Sequence, residues 1–305
     1  MPENWELVLQ NQKVIFDAIT RLDRKVDEMK LSNGAQFAQF HQSLASDNLQ
    51  DYEFKIFSQW GEDGILQHLV NSIEIKHKTF IEFGVETFFE SNCRFLMMKD
   101  NWRGFVMDGS ADCINFLKQS DLYWRYDLNA VSAFITRDNI NALLAQCGFD
   151  ADVGILSVDL DGVDYHVLEA IHGFSPRILI CEYNAVFGRE RPISVPYDPH
   201  FQRTAKHPSN LYFGASLPAM AHIAGKMGYS LVGTNSAGNN AFFVRNDLLN
   251  ERIVPRSVEE SFTVSKFRES RDQAGTLTYL RGDQRIEVIR GLPVINVISG
   301  AEEAL

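Results

Sequence analysis

Acidic residues follow several short apolar runs in the middle of the sequence. The run TFIEFGVE contains Glu82, Gly84 and Glu86, and the run RGFVMDGS contains Asp108. Carboxylates attract cations and accept hydrogen bonds from hydroxyl groups, and a glycine lets the backbone approach a ligand closely. An acid about 24 residues after Gly84 is well placed to hold a ribose hydroxyl in a βαβ unit. These residues therefore predict a site for an adenosine-type ligand.

The same segment argues against a ligand that carries phosphate. A dinucleotide-binding loop has the pattern GxGxxG, whereas EFGVE at 82–86 has a single glycine between two acids. A pyrophosphate would meet the carboxylates of Glu82 and Glu86, which is electrostatically unfavourable. S-adenosylmethionine has a sulfonium and an amino group and no phosphate, so it fits these residues better. The alternative is that both glutamates are surface residues or form salt bridges.

A second acidic group follows the next two apolar runs. Asp159 and Asp161 end the run GILSVDLDG, and Glu182 and Asn184 end the run RILICEYN. Residues two apart in an extended chain share a face, so oxygen ligands from neighbouring strand ends would converge. Oxygen ligands of this kind suit Mg²⁺. Which aspartate faces the site is left open by the pattern, and an aspartate here can also cap the following helix.

The residues between these acids predict the elements that position them. Apolar runs typical of strands alternate with amphipathic helical segments, which indicates a doubly wound, mostly parallel α/β sheet covered on both faces. The third run, LYWRYDLN, is expected to end its strand at Asp127. The runs YSLVGTN (229–235) and NAFFVRN (240–246) predict an antiparallel hairpin at the sheet edge. Ligands bind beyond the carboxyl ends of such strands.

Segments outside the sheet region divide the chain into three parts. We predict an N-terminal amphipathic helix and linker at 1–50, an α/β domain at 51–250 and a C-terminal extension at 251–305. The helix carries an apolar seam with 3-4 spacing, and 31–50 is expected to be linker with a weak helix. The helix is expected either to pair with a second copy in a short coiled coil or to lie on its own domain. The seam comprises Trp5, Val8, Gln12, Ile15, Ile19, Leu22, Val26 and Met29.

Composition limits the classes of function. The 305 residues are 45% hydrophobic and carry a net charge of -11, so a folded core is expected and a nucleic-acid partner is not. The sequence has no apolar run long enough to span a membrane and no secretory signal. Its four cysteines are widely spaced and predict reduced thiols in a cytoplasmic protein.

The segments FIEFGVE, GFVMDGS, SVDLDGVDYHVLEAI and LICEYN resemble class I S-adenosylmethionine-dependent methyltransferases. Within that class, the sequence is similar to FkbM-like proteins and to metal-dependent sugar O-methyltransferases. The resemblance covers about 51–250 and implies a Rossmann-like methyltransferase fold. By that resemblance, Glu82 and Gly84 would line the methionine part of the cofactor, and Asp108 would hold the ribose, with Gly109 and Ser110 beside it. Asp127 would lie near the adenine amino group. Ser58 and Gln59 would reach over the cofactor from the segment before the first helix of the domain.

The implied activity is methylation of a hydroxyl on a carbohydrate or nucleotide-linked sugar. Mg²⁺ would lower the pKa of that hydroxyl, and a base would take its proton. Asp164 and His166 follow the Asp-Gly loop within one helical turn and are the main candidate bases, although a histidine at a helix start is often structural. The loop-rich region 188–214 is expected to form an acceptor pocket or lid. Four arginines of the extension are expected to bind a substrate phosphate or to form surface salt bridges; they are Arg268, Arg271, Arg281 and Arg285.

Two other classes of protein remain as alternatives. An NAD-dependent sugar oxidoreductase or epimerase would use a similar sheet, but it needs the glycine-rich phosphate loop that 82–86 lacks. A non-catalytic scaffold would combine the N-terminal coil with a degenerate methyltransferase fold. Binding of S-adenosylhomocysteine rather than NAD would separate the first of these from a methyltransferase.

Overall fold

The computed structural model describes residues 3–305, with side chains from Trp5 onward. Seven strands form one sheet in the order β3-β2-β1-β4-β5-β8-β7, and three form a small sheet in the order β10-β9-β6. The strands are β1 (Thr79–Phe83), β2 (Arg103–Asp108), β3 (Leu128–Ser132), β4 (Ile155–Val158), β5 (Ile178–Glu182), β6 (Ile193–Ser194), β7 (Tyr229–Thr234), β8 (Asn240–Arg245), β9 (Pro293–Asn296) and β10 (Glu302–Ala304).

Helices cover the large sheet, and short 3-10 helices lie at Leu49–Tyr52, Ala185–Phe187 and Asn246–Leu248. The α-helices are α1 (Glu3–Gln42), α2 (Glu62–Ser72), α3 (Arg94–Asp100), α4 (Ala111–Gln119), α5 (Asp121–Arg125), α6 (Ile140–Leu144), α7 (Asp164–Ala170), α8 (Arg203–Lys206), α9 (Leu217–Lys226), α10 (Val258–Ser261) and α11 (Asp283–Ile289).

The topology confirms the predicted doubly wound sheet with its antiparallel hairpin. Strands β1 to β5 pair in parallel, whereas β8 pairs antiparallel with both β5 and β7. Successive residues of β1 enter different cores, since Phe80 packs in one cluster and Ile81 in the other. A sheet buried on both faces needs such continuous apolar strands. The chain order reverses between β1 and β4, which opens a crevice at their carboxyl ends.

The third strand differs from the sequence prediction. Most of LYWRYDLN does not form a strand: its first half belongs to helix α5, which follows Ser120, and only its last two residues belong to β3, which begins at Leu128. In α5 the side chain of Trp124 is exposed while Leu122 and Tyr123 are half-buried, which is a helical rather than an alternating pattern. Alternation begins only in β3, where Leu128 and Ala130 are buried. Asp127 therefore precedes its strand instead of ending it.

Helix α1 is longer than the sequence prediction, because it continues through the first part of the 31–50 segment. Its C-terminal half packs on the domain: Asp27 forms a salt bridge with the buried Arg94 at 2.5 Å, and Ala38 is buried. Gly34 permits this approach, since a Cβ there would lie 2.5 Å from the ring of Phe95. The apolar seam of the N-terminal half stays exposed. Over residues 3–305, no helix has the length and apolarity that a membrane crossing requires.

The C-terminal extension returns to the large sheet and then joins the small one. Lys266 N–H donates to the Ala237 carbonyl in the β7–β8 turn at 2.7 Å. Strand β9 pairs antiparallel with β6, which lies within the 188–214 region. The extension thus runs past the carboxyl ends of the parallel strands, where it contributes side chains to the cleft described next.

Candidate active site

A cleft of about 1100 Å³ opens beyond the carboxyl ends of β1, β2, β4 and β5. Two phenylalanines of the loop-rich 188–214 region, Phe201 and Phe213, help to line it. Its charge is strongly biased, because eight acidic side chains and two arginines line it. The acidic residues are Glu82, Glu86, Glu90, Asp108, Asp159, Asp161, Glu182 and Glu269, and the arginines are Arg203 and Arg285. Such a cleft favours a cationic ligand over most of its wall.

Glu82 is buried at the end of β1 and orders the segment that follows the strand. Its carboxylate accepts hydrogen bonds from Ser91 Oγ at 2.7 Å, Asn92 N at 2.7 Å and Cys93 N at 3.2 Å. Burial raises the pKa of Glu82, and these three donors partly oppose that rise. Glu82 therefore faces the cleft as an anchored side chain, with the Ser91–Cys93 turn held beside it.

Asp108 joins the ends of β1 and β2. Its Oδ2 accepts a hydrogen bond from Glu86 N, and its Oδ1 accepts one from Ser110 N, both at 2.7 Å. Glu86 has a positive φ of 46°, and Gly84 one of 70°, so this turn is sharply folded. Ser110 caps helix α4 through the Cys113 N–H. The two N–H donors fix the Asp108 carboxylate at the cleft wall, beside Gly109.

Residues Ser58 and Gln59 precede helix α2. Gln59 lines the cleft. Ser58 does not, because it is fully buried and its Oγ donates to Asp63 Oδ2 at 2.9 Å. That carboxylate oxygen also accepts the N–H groups of Ile56, Phe57 and Ser58. The function of Ser58 is therefore to order the turn that carries Gln59.

The structure does not bring Asp127 to the cleft, which corrects the predicted contact with adenine. Asp127 lies before β3, at the amino end of the sheet, where its Oδ2 accepts from Arg103 Nε at 2.6 Å. Both side chains are more than half exposed. The error follows from the strand assignment, since an acid that precedes a parallel strand lies at the opposite edge from one that ends it.

Three of the four predicted metal ligands converge. Asp159, Asp161 and Glu182 each offer a carboxylate oxygen, and these oxygens lie within 4.8 Å of one another. The parallel register of β4 and β5, with Val158 opposite Cys181, brings the strand ends together. The Oε2 atom of Glu182 is buried and has no hydrogen-bond partner among the described residues.

The ionised carboxylates of this cluster are destabilised by burial and by mutual repulsion unless a cation lies nearby. Burial raises the pKa of Asp159 well above its usual range, and the charges of Asp161 and Asp164 raise it further. Burial likewise raises the pKa of Glu182, followed by the charges of Asp159 and Asp161. Arg203 opposes both effects and places Nη1 2.7 Å from Asp161 Oδ1. Three crowded carboxylates with one guanidinium form a donor set suited to a hard divalent cation.

Asn184, the fourth predicted ligand, lines the cleft but its amide is used elsewhere. Its Nδ2 donates to the carbonyls of Leu211 and Phe213, both at 2.9 Å, and its Oδ1 accepts from Val186 N at 3.0 Å. These contacts fix the 211–213 segment against the end of β5. These hydrogen bonds give Asn184 a positioning function.

Asp164 and His166 are not placed as bases in the cleft. Asp164 is fully buried and accepts from Leu160 N at 2.7 Å and Gly162 N at 3.0 Å. Burial raises the pKa of Asp164 to about 6. His166 is buried, and its Nε2 lies 2.9 Å from the Val195 carbonyl oxygen. Neither residue lines the cleft, so Asp164 shapes the Asp-Gly loop and His166 fastens helix α7 to the strand β6 region.

The sequence pattern did not identify Arg203 as a site residue. This residue lies on α8, contacts Asp161 and stacks on the Phe213 ring at 3.7 Å. Of the four arginines singled out in the extension, Arg285 lines the cleft. The others do not: Arg268 donates to the Tyr279 carbonyl, Arg271 pairs with Glu269, and Arg281 is exposed.

Comparison with known proteins finds solved structures of low similarity. An O-methyltransferase from Bacillus cereus in complex with SAH shares 12% identity over 70% of this chain and 89% of that chain, with a TM-score of 0.39. An O-methyltransferase family protein from Burkholderia thailandensis shares 12% identity over 60% of this chain and 58% of that chain, with a TM-score of 0.37. PKMT2 from Rickettsia typhi shares 9% identity over 62% of this chain and 54% of that chain, with a TM-score of 0.41.

The chain thus spans little more than half the length of the last two proteins. No family model matches the sequence, and no curated protein matches it.

Proposed function

We propose that this chain is an S-adenosylmethionine-dependent O-methyltransferase that acts on a hydroxyl of a carbohydrate or nucleotide-linked sugar with the help of Mg²⁺. The observation that carries the proposal is the carboxylate-lined cleft at the point where the strand order reverses. Open α/β sheets bind their ligands at this point. The free thiols of all four cysteines support a reducing, cytoplasmic setting.

The donor set of the cleft fits the proposed cofactor. Asp108 is fixed by two backbone N–H groups and retains lone pairs that can accept hydrogen bonds from ribose hydroxyls. Gly84 leaves backbone at the cleft wall without a side chain, and Glu82 and Glu86 place negative charge beside it. A sulfonium and an amino group are stabilised by such charge, whereas a pyrophosphate would be repelled.

Asp159, Asp161 and Glu182 would hold the metal ion. The unpartnered Glu182 Oε2 and the raised pKa values of Asp159 and Glu182 both indicate a site that needs positive charge. A bound Mg²⁺ would supply Lewis acidity that makes a coordinated hydroxyl easier to deprotonate. Asp164 would support the metal site indirectly, because it accepts hydrogen bonds from Leu160 N and Gly162 N and so fixes the loop that carries Asp161.

The remaining residues align the reactants and exclude water. Methyl transfer requires the acceptor oxygen, the methyl carbon and the sulfur to lie in line, so fixed geometry lowers the barrier. Phe201 and Phe213 are buried and contribute apolar wall beside the carboxylate cluster. Gly162 lets Phe201 approach this loop, since a Cβ at Gly162 would lie 2.1 Å from the Phe201 ring.

Calorimetric titration with S-adenosylhomocysteine tests the cofactor assignment. We expect wild type to bind S-adenosylhomocysteine and not NAD, and Asp108→Ala to bind it at least about tenfold more weakly, because a charged hydrogen-bond acceptor is lost. Asp127→Ala is the matched control, since it removes an exposed carboxylate at the opposite end of the sheet. Equal affinity of wild type and Asp108→Ala would refute the assignment of the ribose site.

Transfer of a labelled methyl group to a panel of sugars and sugar nucleotides tests the reaction. We expect transfer to a hydroxyl that depends on Mg²⁺ and is lost in Asp161→Ala, while S-adenosylhomocysteine binding persists. Full activity after EDTA treatment would remove Mg²⁺ from the proposal. If the folded wild type does not bind S-adenosylhomocysteine, the proposed methyltransferase function is wrong.

A further inference from the structure

Arg285 is a buried cation that has no partner among the residues that the structure describes. It lies on α11, is 8% exposed and lines the cleft from the C-terminal extension. Its guanidinium forms no hydrogen bond or salt bridge with the side chains described from Trp5 onward, and its Nε is buried without a partner. Charged groups are seldom buried unless they are paired, because leaving water is costly.

The two other buried arginines each have a carboxylate and a backbone carbonyl as partners. Arg94 pairs with Asp27 at 2.5 Å and donates to the Phe89 carbonyl at 2.9 Å. Arg177 pairs with Asp152 at 2.5 Å and also donates to the Glu74 carbonyl. Arg285 departs from this pattern at a position that borders the cleft, so its missing partner is expected to come from a ligand.

A second arginine lies close to the first. After burial, the charge of Arg203 is the other factor that lowers the pKa of Arg285. Arg203 contacts one carboxylate, Asp161, and stacks on Phe213. Arg203 shares its charge with the carboxylate cluster, whereas no described carboxylate contacts Arg285. The rest of the cleft wall is acidic, so an anionic group can be accommodated here and would be repelled elsewhere.

We propose that Arg285, with Arg203 beside it, binds a phosphate group of the methyl acceptor. The acceptor would then be a phosphorylated sugar, either a sugar phosphate or a sugar nucleotide. A guanidinium presents a planar set of donors that matches phosphate oxygens, and a phosphate monoester carries more than one negative charge at neutral pH. A neutral sugar would leave Arg285 unpaired. The assignment of this group to the methyl acceptor rests on the proposed methyltransferase function.

Binding of defined sugars without cofactor tests the proposal. The probes are glucose 1-phosphate, UDP-glucose, glucuronate and glucose, followed by calorimetry and by thermal unfolding of the full chain. We expect at least one of the two phosphorylated probes to bind wild type and to raise its Tm, while glucose has no effect. In Arg285→Gln, we expect the affinity for that probe to fall at least about tenfold. Comparison of the two phosphorylated probes identifies which source of phosphate the site accepts.

Arg281→Gln is the matched control, because Arg281 is an exposed arginine of the same segment that does not line the cleft. It should bind the phosphorylated probe as wild type does. Without a probe, Arg285→Gln should be at least as stable as wild type, because an unpaired buried charge has been removed. That result separates loss of binding from loss of folding.

Three outcomes would overturn the proposal: unchanged affinity in Arg285→Gln, stronger binding of glucuronate or glucose than of either phosphorylated probe, or no binding of any phosphorylated probe by wild type. Titration of the same variants with S-adenosylhomocysteine keeps the two hypotheses apart. If the cofactor analogue binds and phosphate does not, the anion site alone is wrong. If phosphate binds and the analogue does not, the methyltransferase is wrong and the anion site stands.

Discussion

Gly84 lies so close to Asp159 that a Cβ on Gly84 would be 1.9 Å from the Asp159 carbonyl oxygen. The contact joins the turn after β1, where we place the cofactor, to the end of β4, where the carboxylate cluster begins. The two halves of the cleft therefore share one backbone contact. A substitution that displaces one turn is therefore expected to disturb the other.

Replacing Gly84 with alanine should damage both halves of the cleft. The φ of 70° is unfavourable for alanine, and the new Cβ would have to displace the Asp159 backbone. We expect Gly84→Ala to lose about 2 kcal/mol or more of unfolding free energy and to bind S-adenosylhomocysteine weakly. Urea unfolding and calorimetry provide the two measurements.

Gly148→Ala is the control for backbone strain alone, because Gly148 has a φ of 68° and no atom within 4 Å of its added Cβ. It should lose about 1 kcal/mol and retain binding. Similar stability losses in the two variants would show that the contact with Asp159 is unimportant.

Removing one carboxylate of the cluster should stabilise the metal-free protein. Since burial and the nearby aspartates raise the pKa of Glu182, its ionised form is destabilising in the folded state, and stability falls as pH rises above the unfolded pKa. Glu182→Gln removes that charge. We expect a higher Tm in EDTA and loss of the rise in Tm that Mg²⁺ or Mn²⁺ produces in wild type.

Glu86→Gln serves for comparison, because Glu86 lines the cleft outside the carboxylate cluster. It should keep the response of Tm to the metal. A metal-induced rise that persists in Glu182→Gln would exclude Glu182 as a ligand.

His68 should make the protein sensitive to acid. Its ring is buried and stacks on Tyr52 with a centroid distance of 3.5 Å. Burial, with smaller effects from Arg252 and His41, lowers the pKa of His68 from 6.5 to about 4. The unfolded chain binds the proton more readily, so stability is lost as pH falls from 6.5 towards 4. Over this pH range, the expected loss of unfolding free energy is about 3 kcal/mol.

His68→Phe retains an aromatic ring without a titrating group. The difference in unfolding free energy between wild type and this variant should change by that amount between neutral pH and pH 4, measured by urea unfolding at each pH. His172→Phe changes an exposed histidine and should follow wild type. Parallel pH profiles for wild type and His68→Phe would contradict the expected loss.

The exposed seam of α1 should pair with a second copy of the chain. The 3-4 spacing and the single polar seam residue, Gln12, are typical of a register-specific coiled coil. Ile15 in the seam and Val14 outside it are both 58% exposed, so they form a matched pair. By light scattering, we expect Ile15→Asp to be monomeric and Val14→Asp to keep the wild-type oligomer. A monomeric wild type would exclude the pairing.

Much of the cleft could be predicted because its residues directly follow buried apolar runs. Glu82, Asp108 and Asp159 end strands whose side chains enter the two cores, so the sequence alone places them at one edge of the sheet. The convergence of Asp159 with Glu182 required the further assumption that β4 and β5 are neighbours, which their register confirms.

The predictions that the structure corrects failed for physical reasons that a local sequence pattern does not reveal. Aromatic residues around Trp124 favour a strand in isolation, yet the chain forms helix α5 there and Asp127 moves to the other edge. Asp164 has a carboxylate that could act as a base, but this carboxylate is buried and accepts hydrogen bonds from two backbone N–H groups. Arg285 lacks a partner because no described acidic side chain packs against it in the folded protein. The spacing of residues along the sequence does not show which side chains pack together.

The outer wall of the cleft comes late in the chain, from Ser265, Phe267, Glu269 and Arg285. The strand-end carboxylates come from earlier in the chain, and a domain generally folds as a unit. The acidic floor of the cleft and Arg285 therefore come together only when the whole domain, including the extension, has folded. Recognition of a phosphorylated acceptor would begin only after translation has passed Arg285.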